Sequence, residues 1–242
     1  LNNPEKKIEN AIQVVGTNGK HSFCTTLREI FETANYSVNM NISPSLRKFN
    51  ERYYLAGKHI SDDELYELLI EVEKKNRGQS ITFHEFICAC FFYAASKNRS
   101  DLNILESGLF FRLDASNVLE RNIASVIMPI GIDHKDFLKK GTIDEIVYEK
   151  CSHLLNGSKI IISEQKNDVL KKIIEIISSN SSVLEKIIFF TNSNFIKLIR
   201  FRINHSSQLK YFIIKICWKY QISKYSVIYC IIYKLAIIII ST

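Results

Sequence analysis

The sequence predicts an α/β protein with a doubly wound, mostly parallel sheet and a phosphate-binding loop. Strand candidates alternate with helix candidates between residues 11 and 162, which is typical of a parallel sheet covered on both faces. A loop with two glycines, ending in lysine, histidine and serine, follows the first strand candidate and precedes a helix candidate. Such loops bind phosphate through backbone N–H groups and the positive end of the helix dipole.

The loop reads Gly-Thr-Asn-Gly-Lys-His-Ser over residues 16–22. A cation at a helix start is unfavourable, so the position of Lys20 favours phosphate contact over an ordinary surface lysine. His21 stands where such loops usually have glycine or a small hydroxyl residue. The candidate phosphate-binding residues are Gly16, Thr17, Asn18, Gly19, Lys20 and Ser22.

The remaining elements follow from apolar patterns and helix-start signals. The predicted strands are Ile12–Val15, Leu102–Leu105, Ser125–Ile130 and Lys159–Ser163. The predicted helices are 23–34, Ser61–Lys75, Phe83–Ser96, Thr142–Lys150 and Asp168–Ser178. Ser61 with Glu64, and Thr142 with Glu145, have the spacing of a helix N-terminal capping box. Phe83–Ser96 is apolar nearly all round, which predicts a buried helix.

Charge and cysteine content narrow the class of protein. The net charge is +7, but residues 1–185 carry 23 basic and 25 acidic residues, a net of −2. The basic residues that cause the excess all follow residue 185, so the charge does not indicate a nucleic-acid ligand. Six cysteines without a CxxC pair, and an N-terminus without an apolar signal core, predict a cytoplasmic protein with reduced thiols.

Residues 196–242 differ in amino-acid composition from the preceding part of the chain. No glycine follows Gly157 and no proline follows Pro129, although an α/β domain needs such residues at its turns. We predict one nucleotide-binding domain over 1–195 and an aberrant Ile/Lys/Tyr-rich tail over 196–242. The apolar run 225–240 is shorter than the roughly 20 residues that a spanning helix needs, so it argues against a membrane anchor, which stays the weaker alternative.

Several segments together resemble the folylpolyglutamate synthase/dihydrofolate synthase family, which is related to the Mur ligases. Their order and spacing agree from about Pro4 to about Phe195. Each segment alone is weak, whereas all of them in register is a strong signal. The segments are 16–22, Ser43-Pro44, 49–52, 60–64, 82–86, 105–117, 131–134 and Glu149-Lys150.

The resemblance implies a Mur-ligase-like central ATPase domain and an ATP- and Mg²⁺-dependent ligase. ATP would phosphorylate a carboxylate of folate or dihydropteroate, and the amine of L-glutamate would attack the acyl phosphate. The implied catalytic residues are Lys20, Lys150 and His134. Ser43, Glu106 and His134 are the candidate metal ligands, and Phe49, Asn50, Arg52, Arg112 and Asp114 are assigned to the substrate loop. In the family the lysine that matches Lys150 is carbamylated and holds a second metal. We expect a monomer.

Ordinary structural roles compete with these assignments. On spacing alone, the Glu106 carboxylate could be a capping or solvent-exposed group just past a strand. His134 could be a loop histidine that bonds to the backbone, and Lys150 could form an ion pair on a helix surface with Asp or Glu one turn away. His84 has no partner pattern and receives no functional assignment. Phe110-Phe111 replaces a family Gly-Gly pair, and we expect these bulky residues to disturb the backbone there.

Members of the family are considerably longer, and we expect this chain to lack their opening segment and C-terminal domain. Such a chain is predicted to be inactive in amide synthesis. A non-catalytic nucleotide-binding remnant, or a decayed gene product, is the alternative.

Overall fold

The computed structural model describes residues 1–155 and 157–179, together with the backbone of strands at 186–190, 195–199 and 214–215. Helices α1 to α5 in this part are Lys20–Thr33, Asp62–Asn76, Phe83–Lys97, Ile143–Cys151 and Asn167–Ser179. Strands β1 to β10 are Ala11–Val15, Val38–Asn41, Tyr53–Leu55, Lys58–His59, Leu102–Glu106, Ala124–Ile127, Lys159–Ile162, Lys186–Phe190, Phe195–Ile199 and Ile214–Lys215. Short 3-10 helices cover Pro4–Lys7, Phe49–Arg52 and Lys135–Phe137.

The strands form one sheet in the order β10-β9-β8-β7-β6-β1-β5-β2-β3-β4. Neighbouring strands from β8 through β2 are parallel, and antiparallel strands extend the sheet at both sides. The chain runs from the central β1 to β2 on one side and later crosses to β6 on the other. The predicted doubly wound sheet is therefore confirmed, and its strand order reverses beside β1, where open α/β sheets bind ligands.

Helices cover both faces of the sheet. Val14 packs in the core beneath α1, whereas its neighbour Val15 packs with α4 and α5 on the opposite face. Helices α2 and α3 share that second face and enclose Tyr53 and Leu105. Successive residues of a strand point to opposite faces, so fully buried β1 has apolar residues on both faces, and Gln13 is its one polar residue.

The predicted helix starts are confirmed at two caps. The Ser61 hydroxyl accepts from the Glu64 N–H at 3.2 Å, and the Glu64 carboxylate accepts from the Ser61 N–H at 2.8 Å. The Thr142 hydroxyl accepts from the Glu145 N–H at 3.3 Å. Helix α3 is mostly buried as predicted, but its first residue, Phe83, is 66% exposed.

Strand β6 is shorter than predicted. The sequence predicts a strand over Ser125–Ile130, whereas β6 ends at Ile127. Pro129 has no N–H to donate to a strand ladder, and its carbonyl instead accepts hydrogen bonds from Thr17 and Asn18. The segment after β6 thus leaves the sheet to line the phosphate loop.

The predicted domain boundary at 195/196 falls within β9, Phe195–Ile199, and the division into two regions stays a prediction. The apolar run 225–240 lies outside the described residues. Within the described residues, no helix is both long and apolar enough to cross a membrane.

Candidate functional site

The phosphate loop connects β1 to α1 and depends on both of its glycines. Gly16 has φ +146°, and a Cβ there would lie 2.7 Å from the Met128 Cβ and 2.9 Å from its carbonyl oxygen. Gly19 has φ +80° and caps α1 without a side-chain hydrogen bond. A positive φ is readily adopted only by glycine, so these two residues fix the path of the loop.

Two backbone N–H groups of the loop donate hydrogen bonds within the protein, whereas those at the start of α1 are available to a ligand. Thr17 and Asn18 both donate to the Pro129 carbonyl, at 2.9 and 3.2 Å. The first N–H groups of a helix have no acceptor within the helix, and Gly19 offers no side chain to cap them. The N–H groups of the first turn, which contains Lys20 and Ser22, therefore form a site suited to an anion.

The two lysines assigned to catalysis meet at one carbonyl oxygen. Lys20 Nζ donates to Gly16 O at 3.1 Å, and Lys150 Nζ donates to the same oxygen at 3.0 Å. Lys150 is 1% exposed. Burial, and then the charge of Lys20, lower the pKa of Lys150 to about 8, while Asp133 opposes the shift. The phosphate loop and the end of α4 thus place two ammonium groups side by side.

Glu106 lies near enough to Lys20 for the two charges to interact. It is the last residue of β5 and is 4% exposed, and its Oε2 accepts from the Ser43 N–H at 3.1 Å. Arg52 Nη1 donates to Ser43 Oγ at 3.1 Å. Burial raises the pKa of Glu106 to about 7, against the opposing effects of the Ser43 N–H and the charges of Lys20 and Arg52. The structure thus brings together four of the predicted site residues, which are Lys20, Ser43, Arg52 and Glu106.

His134 lies with the Lys150 side of the site. It has φ +51°, and its backbone N–H donates to Asp133 Oδ1 at 2.9 Å. The Phe110 ring lies 6.3 Å from the His134 ring, and the same Phe110 ring lies 5.4 Å from Lys150 Nζ. Among the described residues, no hydrogen bond or ion pair joins His134 to Ser43 or Glu106, and no three His, Cys, Asp or Glu side chains form a metal-binding group.

Most residues predicted for the substrate loop form hydrogen bonds or ring contacts with other residues of this chain. Asn50 Nδ2 donates to Ile60 O at 3.0 Å and to Asp62 Oδ1 at 2.9 Å. The Phe49 ring lies 5.1 Å from the Arg52 guanidinium carbon. This 3-10 turn is thereby held against the start of α2, with the Arg52 side chain directed to Ser43.

Arg112 and Asp114 also have protein partners. Arg112 Nε forms an ion pair with Glu149 Oε2 at 2.9 Å. The Asp114 carboxylate accepts from the N–H groups of Gly108 and Ser116, at 3.0 and 2.9 Å, and from the Ser116 hydroxyl. Both side chains therefore shape the loop between β5 and β6.

Sequence reasoning missed His84, which is packed against this loop. Its Nε2 lies 3.4 Å from Asp114 Oδ1, and a Cβ added to Gly108 would lie 2.8 Å from the ring. The hydrogen bond to Asp114, then the contact with Cys88, raise the pKa of His84 to about 10. The spacing of His84 and Cys88, one helical turn apart, was the only local signal, because Asp114 is 30 residues away.

Two residues that depart from the expected pattern, His21 and Phe111, are compatible with the local backbone and packing. His21 lies within helix α1 and is not among the residues with positive φ, so it needs no glycine conformation. Phe111 is fully buried in the core with Ile146 and Val147. Phe111 thus contributes to the core, and the expectation that the Phe110-Phe111 pair disturbs the backbone stays a prediction.

Comparisons with known proteins agree with the geometry. The dihydrofolate synthase/folylpolyglutamate synthase of Bacillus subtilis is 35% identical over 180 residues, which is 72% of this chain and 41% of the relative. The matched part of this chain belongs to the folylpolyglutamate synthase/dihydrofolate synthase family. The dihydrofolate synthetase of Saccharomyces cerevisiae is 26% identical over 80% of this chain and 45% of that protein. No family model matches.

Solved structures of the family share the fold. The bifunctional enzyme of Yersinia pestis, complexed with AMPPNP and Mn ion, superposes with a TM-score of 0.69 at 25% identity over 81% of this chain and 48% of that chain. Escherichia coli FolC, in complex with DHPP and ADP, gives a TM-score of 0.68 at 25% identity, with the same coverage. This chain spans about two fifths of the length of the first curated relatives it matches.

Proposed function

We propose that this chain carries the ATP site of a ligase that joins glutamate to a carboxylate of folate or dihydropteroate. The observation that carries the proposal is the placement of Lys20, at the uncapped start of α1, beside the buried Glu106 at the carboxyl edge of the sheet. Phosphoryl transfer requires mainly positioning and neutralisation of charge, and these residues are suited to both.

The N–H groups of the first turn of α1 and the ammonium of Lys20 would hold the phosphate oxygens of ATP. Lys20 donates to Gly16 O within its own loop, so it can change acceptor without a backbone shift. The Y. pestis relative complexed with AMPPNP supports this assignment. Ser22 would contribute its hydroxyl from the same turn.

Glu106 and Ser43 fit a magnesium ion. Glu106 is a buried carboxyl whose pKa is raised to about 7 by desolvation, and no ion pair neutralises it among the described residues. Carboxylate and hydroxyl oxygens are ligands that Mg²⁺ prefers. His134 remains the third predicted ligand. When bound, Mg²⁺ supplies positive charge to the transferring phosphoryl group.

The reaction proposed for the whole ligase proceeds through an acyl phosphate. The terminal phosphoryl group of ATP passes to a carboxylate of the pterin substrate, and ADP is released. The amine of glutamate then attacks the acyl carbon, an amide forms and phosphate leaves. E. coli FolC in complex with DHPP and ADP supports the pterin assignment. A monomeric state and a cytoplasmic location stay predictions.

Nucleotide binding tests the proposal directly. Calorimetric titration of residues 1–242 with AMPPNP and Mg²⁺ is expected to show one site, and Lys20→Ala should weaken it roughly 10- to 100-fold, since a charged hydrogen bond contributes about 1.5–3 kcal/mol. Lys74→Ala, an exposed residue near the end of α2, is the matched control and should leave affinity unchanged. Equal affinity in all three proteins would refute the assignment of the phosphate loop.

Turnover separates a ligase from a nucleotide-binding remnant. We expect the polypeptide of residues 1–242 to bind nucleotide without measurable amide synthesis from ATP, dihydropteroate or folate, and glutamate. Its coverage of about two fifths of the curated relatives supports this expectation. Amide formation above the level of Lys20→Ala would show that the described site suffices for catalysis.

A further inference from the structure

Asp114 is a buried carboxylate that needs a positively charged partner. Its side chain is 3% exposed, and within the described part of the chain its one ion pair is with His84. Burial of a carboxylate without a compensating charge is strongly unfavourable. Burial raises the pKa of Asp114, but hydrogen bonds from His84 and Ser116 outweigh that effect and lower it overall. His84 therefore supplies the charge that keeps Asp114 ionised in a buried position.

The ionised Asp114 holds the two ends of the segment 108–116 together. One carboxylate oxygen, Oδ2, accepts from the Gly108 N–H at 3.0 Å. The other, Oδ1, accepts from the Ser116 N–H and hydroxyl at 2.9 and 2.6 Å, and it lies 3.4 Å from His84 Nε2. One side chain thus closes the segment into a loop, and His84 ties that loop to the first turn of α3.

The His84 ring also sets the distance between α3 and this loop. A Cβ added to Gly108 would lie 2.8 Å from the ring atoms Cε1 and Nε2, and 2.9 Å from Asp114 Oδ2. The backbone of Gly108 therefore passes in close contact with both members of the pair. Gly108 follows Glu106, the last residue of β5, by two positions. A displacement of the pair would thus reach the segment that leads out of the candidate site.

We propose that His84 is a positioning residue for the substrate side of the site, and that it acts as a fixed imidazolium rather than as a neutral ring. Its charge holds Asp114, and Asp114 holds the loop 108–116, which contains the predicted substrate-loop residue Arg112. The inference rests on the proposed function only for the identity of the substrate. Removal of the charge would loosen the loop, whereas the phosphate loop, which His84 does not contact, would keep its affinity for nucleotide.

The surroundings of His84 favour its charged form. The titratable groups that contact its ring are Asp114 in the loop and Cys88 on α3, whose Sγ lies 3.7 Å from Nε2. The charge of His84 also acts on Glu85, the next residue of α3. The hydrogen bond to Asp114, then the contact with Cys88, raise the pKa of His84 to about 10 against the effect of burial. His84 is therefore expected to stay charged at neutral pH.

Carbon-13 NMR of the His84 ring in the ligand-free protein tests the charge. The Cε1 resonance is expected to titrate with a midpoint near pH 10. Asp114→Asn should move the midpoint towards the ordinary histidine value of about 6.5. A midpoint near the ordinary value in the unaltered protein would overturn the proposal.

Two variants separate the charge of His84 from its ring. His84→Phe keeps a ring without a charge, and His84→Lys keeps a charge without a ring. At pH 7, amide exchange at Gly108 and Ser116 should rise about three- to fivefold in His84→Phe and less in His84→Lys, since a partly exposed pair contributes modestly. Lys74→Gln, which removes a charge at an exposed position on α2, is the matched control and should change nothing. Unchanged exchange in His84→Phe, or an equal rise in both variants, would overturn the role of the charge.

Folate binding connects the loop with the proposed function. In calorimetric titrations with AMPPNP and Mg²⁺ present, His84→Gln should bind folate roughly three- to fivefold more weakly than the unaltered protein or Lys74→Gln, with nucleotide affinity unchanged. Equal folate affinity in all three proteins would overturn the positioning role. If the unaltered protein binds no folate, the substrate assignment of the proposed function fails. The ring titration and the exchange at Gly108 then decide whether His84 is a charged positioning residue.

Discussion

The phosphate loop and the loop after β5 reach tight turns by opposite means. At the phosphate loop, Gly16 and Gly19 adopt positive φ values, and the space beside Gly16 is closed by Met128. In the loop after β5, Phe110 and Phe111 stand where the resemblance predicts glycine, and contacts from α4 and the core hold the backbone. Backbone curvature can thus come from glycine or from external anchors.

The largest effect is expected at Phe111. Phe111→Ala should lower the free energy of unfolding by about 3–5 kcal/mol, because it removes a fully buried aromatic ring and leaves a cavity. Urea denaturation measures the change. Phe137→Ala, which is 72% exposed, is the control and should change stability by less than about 0.5 kcal/mol. Similar small effects for both variants would mean that Phe111 does not anchor the loop.

Gly16→Ala tests the other means of shaping a turn. A Cβ would lie 2.7 Å from Met128 and would occupy a strained backbone at φ +146°, so we expect a loss of roughly 3 kcal/mol together with loss of AMPPNP binding. Thermal unfolding and calorimetry measure the two effects. Gly131→Ala is the control, since no atom lies within 4 Å of its added Cβ. Tolerance of alanine at residue 16 would contradict the role of glycine in the phosphate loop.

Glu106→Gln should stabilise the ligand-free protein at alkaline pH. The pKa of Glu106 is raised from 4.5 to about 7 by burial, so its contribution to stability is complete below pH 4.5 and is lost as pH rises through 7. Glutamine has no charge to desolvate, and the variant should exceed the unaltered protein by about 2–3 kcal/mol at pH 8 and by little at pH 4.5.

Binding of Mg²⁺ with AMPPNP provides a second test of Glu106→Gln. Mg²⁺ with AMPPNP should raise the melting temperature of the unaltered protein more than that of Glu106→Gln, since only the carboxylate attracts the ion. A pH-independent difference between the two proteins would show that Glu106 is not held in a desolvated state.

The smallest effect is expected at the His84–Asp114 pair. The pKa of His84 is raised from 6.5 to about 10, so the pair contributes fully below pH 6.5 and its contribution is lost as pH rises through 10. The destabilisation by His84→Gln should be below about 1 kcal/mol, because the His84 side chain is 38% exposed, and it should be larger at pH 6 than at pH 10. A pH-independent effect of His84→Gln would exclude the charged pair.

The sequence predicts the regular elements well where local signals are strong. The caps at Ser61 and Thr142 are in place because capping depends on residues three positions apart. Strand β2 was missed, because its buried Asn39 breaks an apolar pattern. Asn39 Nδ2 donates to Asn103 Oδ1 at 3.0 Å on the neighbouring strand, and only the fold shows that partner.

The candidate site likewise contains residues that local patterns predict and contacts that only the fold shows. Lys20 and Glu106 could be placed at one edge of the sheet, because each follows from a strand end and a loop pattern. The bridge from Lys150 to Gly16 could not be predicted, since it depends on how far a side chain reaches between elements 134 residues apart. His134 and Glu106 were expected together, and their common role as metal ligands stays a prediction.

A double-mutant cycle tests the central claim that Lys20 and Glu106 form one site for magnesium nucleotide. Calorimetry would give the affinity for AMPPNP with Mg²⁺ of the unaltered protein, Lys20→Ala, Glu106→Gln and the double variant. If both residues act on one bound complex, the two effects should be non-additive, with a coupling free energy of at least about 0.5–1 kcal/mol. Effects that add to within about 0.3 kcal/mol would contradict a shared site.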